Sequence, residues 1–243
     1  MSQNKNVVLV MGKPNTGKSA SLRNLNQERM VLLNADVKET PFRNKFKASV
    51  DIVDALDVLG FIQDIENNPD VDGAVLDTLT FLLSTYERQY VAPKAGTKQG
   101  MTAWADYGNF YKELTHAIKS GTKNYAVLAH EATDLNEQSM QMESYIPVKG
   151  AVGKTGAEAD YTTILGSQQI SVKKLEELKI ENDLLHITDE EREDGLKYVF
   201  CTRVTKETAG SKIRSAMGLW SRNELYIDND LSLVFKRLNE YYN

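Results

Sequence analysis

Apolar residues along this chain follow two rhythms. Short unbroken runs occur at "VVLVM" (7–11), "MVLLNA" (30–35), "GAVLDTLT" (73–80) and "YAVLAH" (125–130), and they predict strands buried on both faces. Between them, apolar positions fall three or four apart. In 52–67 these are Val53, Leu56, Leu59, Ile62 and Ile65, which predicts an amphipathic helix. In 101–121 they are Trp104, Tyr107, Tyr111, Leu114 and Ile118, with Gly121 as a stop signal. A further helix is expected from about Lys18. Strand and helix in alternation predict an α/β fold, a mainly parallel sheet with helices on both faces.

The rhythm changes after about residue 133. Strand-like runs recur at 160–165, 168–173, 197–204 and 224–228, and helical spacing returns only over 230–242. The second half therefore reads as a β-rich C-terminal extension of the same sheet. Two loops, 133–159 and 205–219, and an acidic solvated excursion, 181–195, interrupt it.

Composition narrows the classes. The chain has 243 residues, 41% hydrophobic and 26% charged, which suits one large globular domain. A net charge of −5 argues against coating nucleic acid by charge alone but leaves room for a local basic groove. The single cysteine, Cys201, excludes an internal disulfide and reads as a core residue. No Cys/His cluster has metal-ligand spacing. The start "MSQNKN" lacks a signal-peptide pattern, and no apolar run approaches the roughly 20 residues of a membrane span, so a cytoplasmic location without a membrane is expected.

The chemistry begins where the first strand ends. Gly12, Lys13, Pro14, Asn15, Thr16, Gly17, Lys18 and Ser19 fill the pattern G-x-x-x-x-G-K-[ST], with Ala20 closing the stretch. Such a loop curls its amides around a phosphate, and Gly12 and Gly17 permit the backbone angles and the close approach. Lys18 would reach the β- and γ-phosphates, and the Ser19 hydroxyl would ligate Mg²⁺. Asp77, after three apolar strand residues, is the expected second metal-site residue, acting through water. Thr78 rather than a glutamate follows it, so the group that orients attacking water must lie elsewhere. Asp36, at the end of the second strand, is the candidate, with Glu39 as the alternative. His130 ends the "YAVLAH" strand, where it could sense the γ-phosphate. A basic cluster of Lys38, Arg43, Lys45 and Lys47 is expected beside this edge. No N-K-x-D guanine reader occurs, which favours ATP.

The stretches "GKPNTGKS", "NAD", "VLDTLT" without a following glutamate, and "LAHE" resemble RecA-type ATPases. More closely, the chain is similar to short RecA-like ATPases encoded by bacteriophages and associated with single-strand annealing and recombination. Those proteins carry a counterpart of Asn34–Arg43, "NADVKETPFR", and of the W-x-x-Y-G helix, Trp104–Gly108. The resemblance implies a RecA-like P-loop NTPase core as one domain over 1–243, with a nucleotide-binding half (1–131) and a β-rich half (132–243). It implies a Mg·ATP hydrolase that acts on single-stranded DNA and assembles into rings or filaments. It places DNA contacts in 131–160, with Lys149, Lys154 and Tyr145. It also offers Lys206, Lys212 and Arg214 in 202–218, either for DNA phosphates or as the cation that one subunit supplies to its neighbour's ATP site. A nucleotide-dependent loading or assembly factor acting on a protein partner is the alternative.

Overall fold

A computed structural model describes residues 3–137, 140–180 and 182–242. Gln138 and Ser139 of the expected 131–160 loop, and Glu181 of the acidic segment, lie outside the described residues.

The strands are β1 (Val7–Gly12), β2 (Met30–Asn34), β3 (Ala48–Asp51), β4 (Gly73–Asp77), β5 (Asn124–His130), β6 (Ala132–Asn136), β7 (Gln141–Tyr145), β8 (Thr163–Ser171), β9 (Leu196–Cys201) and β10 (Tyr226–Asp228). The helices are α1 (Asp57–Asn67), α2 (Leu79–Tyr86), α3 (Gly100–Ser120), α4 (Gly150–Thr155), α5 (Val172–Glu177), α6 (Asp189–Asp194) and α7 (Leu231–Tyr242). Eight strands form one sheet in the order β10-β9-β8-β1-β5-β4-β2-β3. Neighbours from β8 to β3 are parallel, and β9 is antiparallel to both β8 and β10. The fold is thus α/β with a mostly parallel sheet, extended at one edge by the later strands.

Strand alternation sends side chains into two layers. Val7, Leu9 and Met11 of β1 join α1, α2 and α3 on one face. Val8 and Val10 join Leu231, Val234, Phe235 and Leu238 of α7 on the other. Cys201 is buried, and burial pushes its thiol up to about 11.

Several local expectations are corrected. The helix expected from Lys18 is a single 3-10 turn, Ser19–Leu22. The sheet face that a longer helix would cover is taken by α7, which packs on Leu22 and Leu25. The helix expected over 52–67 begins at Asp57, after the edge strand β3 and a turn in which Asp54 Oδ1 accepts from the Leu56 amide at 2.9 Å. Its buried face is Val58, Ile62 and Ile65, whereas Val53 is 74% exposed. The strand expected over 73–80 stops at Asp77. Thr78 then caps α2 by accepting from the Phe81 amide, because an apolar run alone does not separate strand from helix.

In the second half, the 133–159 loop is an antiparallel β6–β7 hairpin followed by α4. The two strands expected over 160–173 are one, β8. The acidic excursion carries α6, capped by Thr188 and Glu191. The buried Lys197 ammonium lies 2.9 Å from both Glu191 and Asp228, so part of that segment is tied to the sheet rather than solvated.

Candidate nucleotide site

Strand order builds the site. Because β5 lies between β1 and β4, and β2 lies beyond β4, their C-terminal tips form a row: Gly12, His130, Asp77, then Asn34 leading to Asp36. Ligands of open parallel sheets bind at such tips.

The loop Gly12–Ser19 keeps the close approach that its glycines imply. A Cβ on Gly12 would lie 2.5 Å from Ser167 O, and Gly17 has φ +89° with Tyr198 and Asn229 packed behind it. Lys18 Nζ donates to Gly12 O at 2.8 Å and to Lys13 O at 2.9 Å, so the ammonium lies within its own loop. Burial lowers its pKa, against the pull of Asp77, Asp36 and Glu131.

Ser19 Oγ donates to Asp77 Oδ2 at 2.7 Å. Asp77 Oδ1 is buried without a hydrogen-bond partner. Burial, with Asp36 nearby, pushes the Asp77 carboxyl up to about 6, against the Ser19 hydrogen bond. Among the described residues no group of three or more His, Cys, Asp or Glu is placed to hold a metal. One hydroxyl and one unsatisfied carboxylate oxygen form a hard-oxygen donor pair. It fits Mg²⁺, an ion that draws most of its ligands from water and phosphate.

Asp36 stands beside this pair. Its amide donates to Asp77 O at 3.2 Å, and its Oδ1 accepts from Thr78 Oγ1 at 3.0 Å. Lys38 Nζ is 3.9 Å from Asp36 Oδ2. Glu39 is exposed. The His130 amide donates to Thr80 Oγ1 at 2.9 Å, its ring meets Phe81 edge-on at 5.5 Å, and its Nδ1 is buried without a partner. Burial and then the Lys18 charge lower its pKa, so the imidazole is neutral at physiological pH.

The sequence pattern missed a bracket behind the loop. Ser167 Oγ donates to Thr16 O at 2.7 Å, and Gln169 Nε2 donates to Asn15 O at 3.0 Å. Asn229 Nδ2 in turn donates to Ser167 Oγ at 3.0 Å. These partners come from β8 and the end of β10, more than a hundred residues away in sequence, where no local motif marks them. Glu131 follows His130 at the tip of β5. Its amide donates to Gly12 O at 3.1 Å, its carboxyl is hydrogen-bonded by Ser144, and burial raises its pKa.

The remaining candidates are dispersed. Lys149 Nζ pairs with Glu87 at 2.8 Å, and Lys154 is exposed at the end of α4. Lys206 is exposed. Lys212 pairs with Glu143 at 3.0 Å, and its amide donates to Ser144 Oγ, so the second loop is fastened to the hairpin. Arg214 donates to the Tyr161 and Glu158 carbonyls. Of the basic cluster, Lys38 is at the site. The amides of Lys45 and Lys47 bond Gln27 and Met30 at the opposite end of β2.

A family model described as an AAA domain matches residues 4–159, a span that holds the loop, Asp36, Asp77, His130 and the hairpin. No curated protein matches the chain. With well over half of its length matched, the chain belongs to the AAA domain family and is a P-loop, ATPase-type domain.

Proposed function

We propose that this chain is a Mg·ATP hydrolase that acts on single-stranded DNA in the cytoplasm, in phage-type recombination or replication. Residues 1–243 work as one RecA-like unit that assembles into a ring or filament. The observation that carries the enzymatic part is the 2.7 Å contact between Ser19 Oγ and Asp77, with Asp36 fastened through Thr78 to the same turn. The loop amides and Lys18 hold and orient the phosphates. Mg²⁺, when bound, spreads the phosphate charge and polarises the γ-phosphoryl group. Asp36 orients the attacking water and accepts its proton. His130, neutral and adjacent, reads the γ-phosphate and passes its presence to the hairpin through Glu131 and Ser144. Lys206 of a neighbouring copy is the cation best suited to complete the site, because Lys212 and Arg214 are engaged within their own chain.

ATP turnover measured with and without single-stranded DNA, at two salt concentrations, tests this reading. Stimulation that weakens as salt rises is expected. Turnover indifferent to DNA at both concentrations contradicts a DNA-directed role. One observation favours a protein-directed loading or assembly factor instead. The described part of the hairpin exposes Leu135, Met140 and Met142 beside Asp134, Glu137 and Glu143, and 131–145 contains no Lys or Arg. Such a surface suits a protein partner better than a phosphate backbone.

A further inference from the structure

A cavity of about 510 Å³ opens on the α2 side of the phosphate loop. Tyr107 lines it, and Phe81, 37% exposed, offers its ring to it. Lys38 and Lys149 also line it, with side chains 68% and 69% exposed, beside Glu87, which pairs with Lys149 at 2.8 Å. Lys38 Nζ sits over the Phe81 ring, 5.2 Å from its centre. The sequence on either side of these lining residues is rich in basic residues. Residues 87–104 and 146–156 carry Arg88, Lys94, Lys98, Lys149 and Lys154 against the single carboxylate of Glu87. A Cβ on Gly150 would lie 2.9 Å from Trp104, which sets Lys149 close to the start of α3, where the chain arrives from Lys98. The acidic 131–145 hairpin offers no comparable charge.

We propose that this cavity receives one unstacked nucleobase of single-stranded DNA. The base stacks on Phe81, and Lys38 and Lys149 meet the flanking phosphates. The proposal rests on the DNA-directed reading above and gives it a location away from the hairpin. An aromatic face between flexible cations is the arrangement by which single strands are held without sequence preference. The location also couples the strand to ATP. One turn of chain holds Asp36 through Thr78, the His130 amide through Thr80, and the His130 ring through Phe81. A base seated on Phe81 therefore bears on two of the groups beside the γ-phosphate position.

Fluorescence anisotropy with a labelled oligo-dT strand, and with an abasic strand of equal length and charge, tests the site. Wild-type protein should hold oligo-dT more tightly than the abasic strand. Phe81→Ala should weaken oligo-dT binding on the order of tenfold and leave abasic binding within about twofold, whereas Phe81→Trp should retain the preference for bases. Thermal melts establish that the variants fold. A folded Phe81→Ala protein that binds oligo-dT as wild type does overturns the proposal. If Phe81→Ala does not fold, the wild type decides: photocross-linking of a 5-iododeoxyuridine strand to Phe81 or Tyr107 supports the site, and cross-links confined to the hairpin overturn it. Wild-type protein that binds neither strand overturns the DNA-directed reading itself, a distinguishable result.

Discussion

Asp77 is where folding and function conflict most clearly. Its carboxyl is buried, one oxygen has no hydrogen-bond partner, and its pKa is raised from 3.8 to about 6. Between about pH 4 and 6 the native protein therefore binds more protons than the unfolded chain, so this group makes stability fall as pH rises through that window. Above it, a two-unit shift corresponds to a cost on the order of 3 kcal/mol. Asp77→Asn should accordingly raise the melting temperature of the nucleotide-free protein at pH 8 but not at pH 4, while weakening Mg²⁺-dependent nucleotide binding. Equal melting shifts at the two pH values would show that the buried charge is not what costs stability. In the proposed mechanism Asp36 is the complementary case, close enough to assist chemistry yet not buried beneath the metal. Asp36→Asn is expected to cut turnover by about 10²–10⁴-fold with ATP affinity little changed, as measured by steady-state kinetics beside a binding titration.

At the scale of elements, the loop is gripped from behind by β8 and by the turn after β10. Ser167→Ala would remove the hydroxyl that bonds Thr16 O and accepts from Asn229, leaving buried polar groups unpaired at about 1–3 kcal/mol. Because the loop would lose its support before any reacting group is touched, the expected kinetic signature is a raised KM for ATP with kcat reduced less. A fall in kcat alone would place Ser167 in the chemistry. The same region shows what sequence pattern reveals and what it hides. β1, β2, β4 and β5 were legible because strands buried on both faces read as unbroken apolar runs. The Gly12–Ser19 loop was legible because its spacing is local. The 3-10 turn after Lys18 was not, since what limits it is α7, about two hundred residues later. The hairpin was missed because its outward residues Leu135, Met140 and Met142 blur the alternation that marks a strand. The role of Ser167, Gln169 and Asn229 depends on pairing across the sheet, which no local window contains.

At the scale of the molecule, the matched region 4–159 supplies the row of strand tips, and the later strands and α7 brace it. On the proposed reading, nucleotide occupancy is felt on both flanks, toward Phe81 on one side and through Glu131, Ser144 and Lys212 on the other. All of this presupposes a triphosphate seated on the loop with its metal at Ser19 and Asp77. A calorimetric titration of ATP into wild-type and Lys18→Ala protein, each with and without Mg²⁺, tests that seat most directly. Binding that is strengthened by Mg²⁺ in the wild type and lost in a folded Lys18→Ala variant is the expected result. ATP affinity unchanged by the substitution and indifferent to Mg²⁺ would contradict a nucleotide site at this loop.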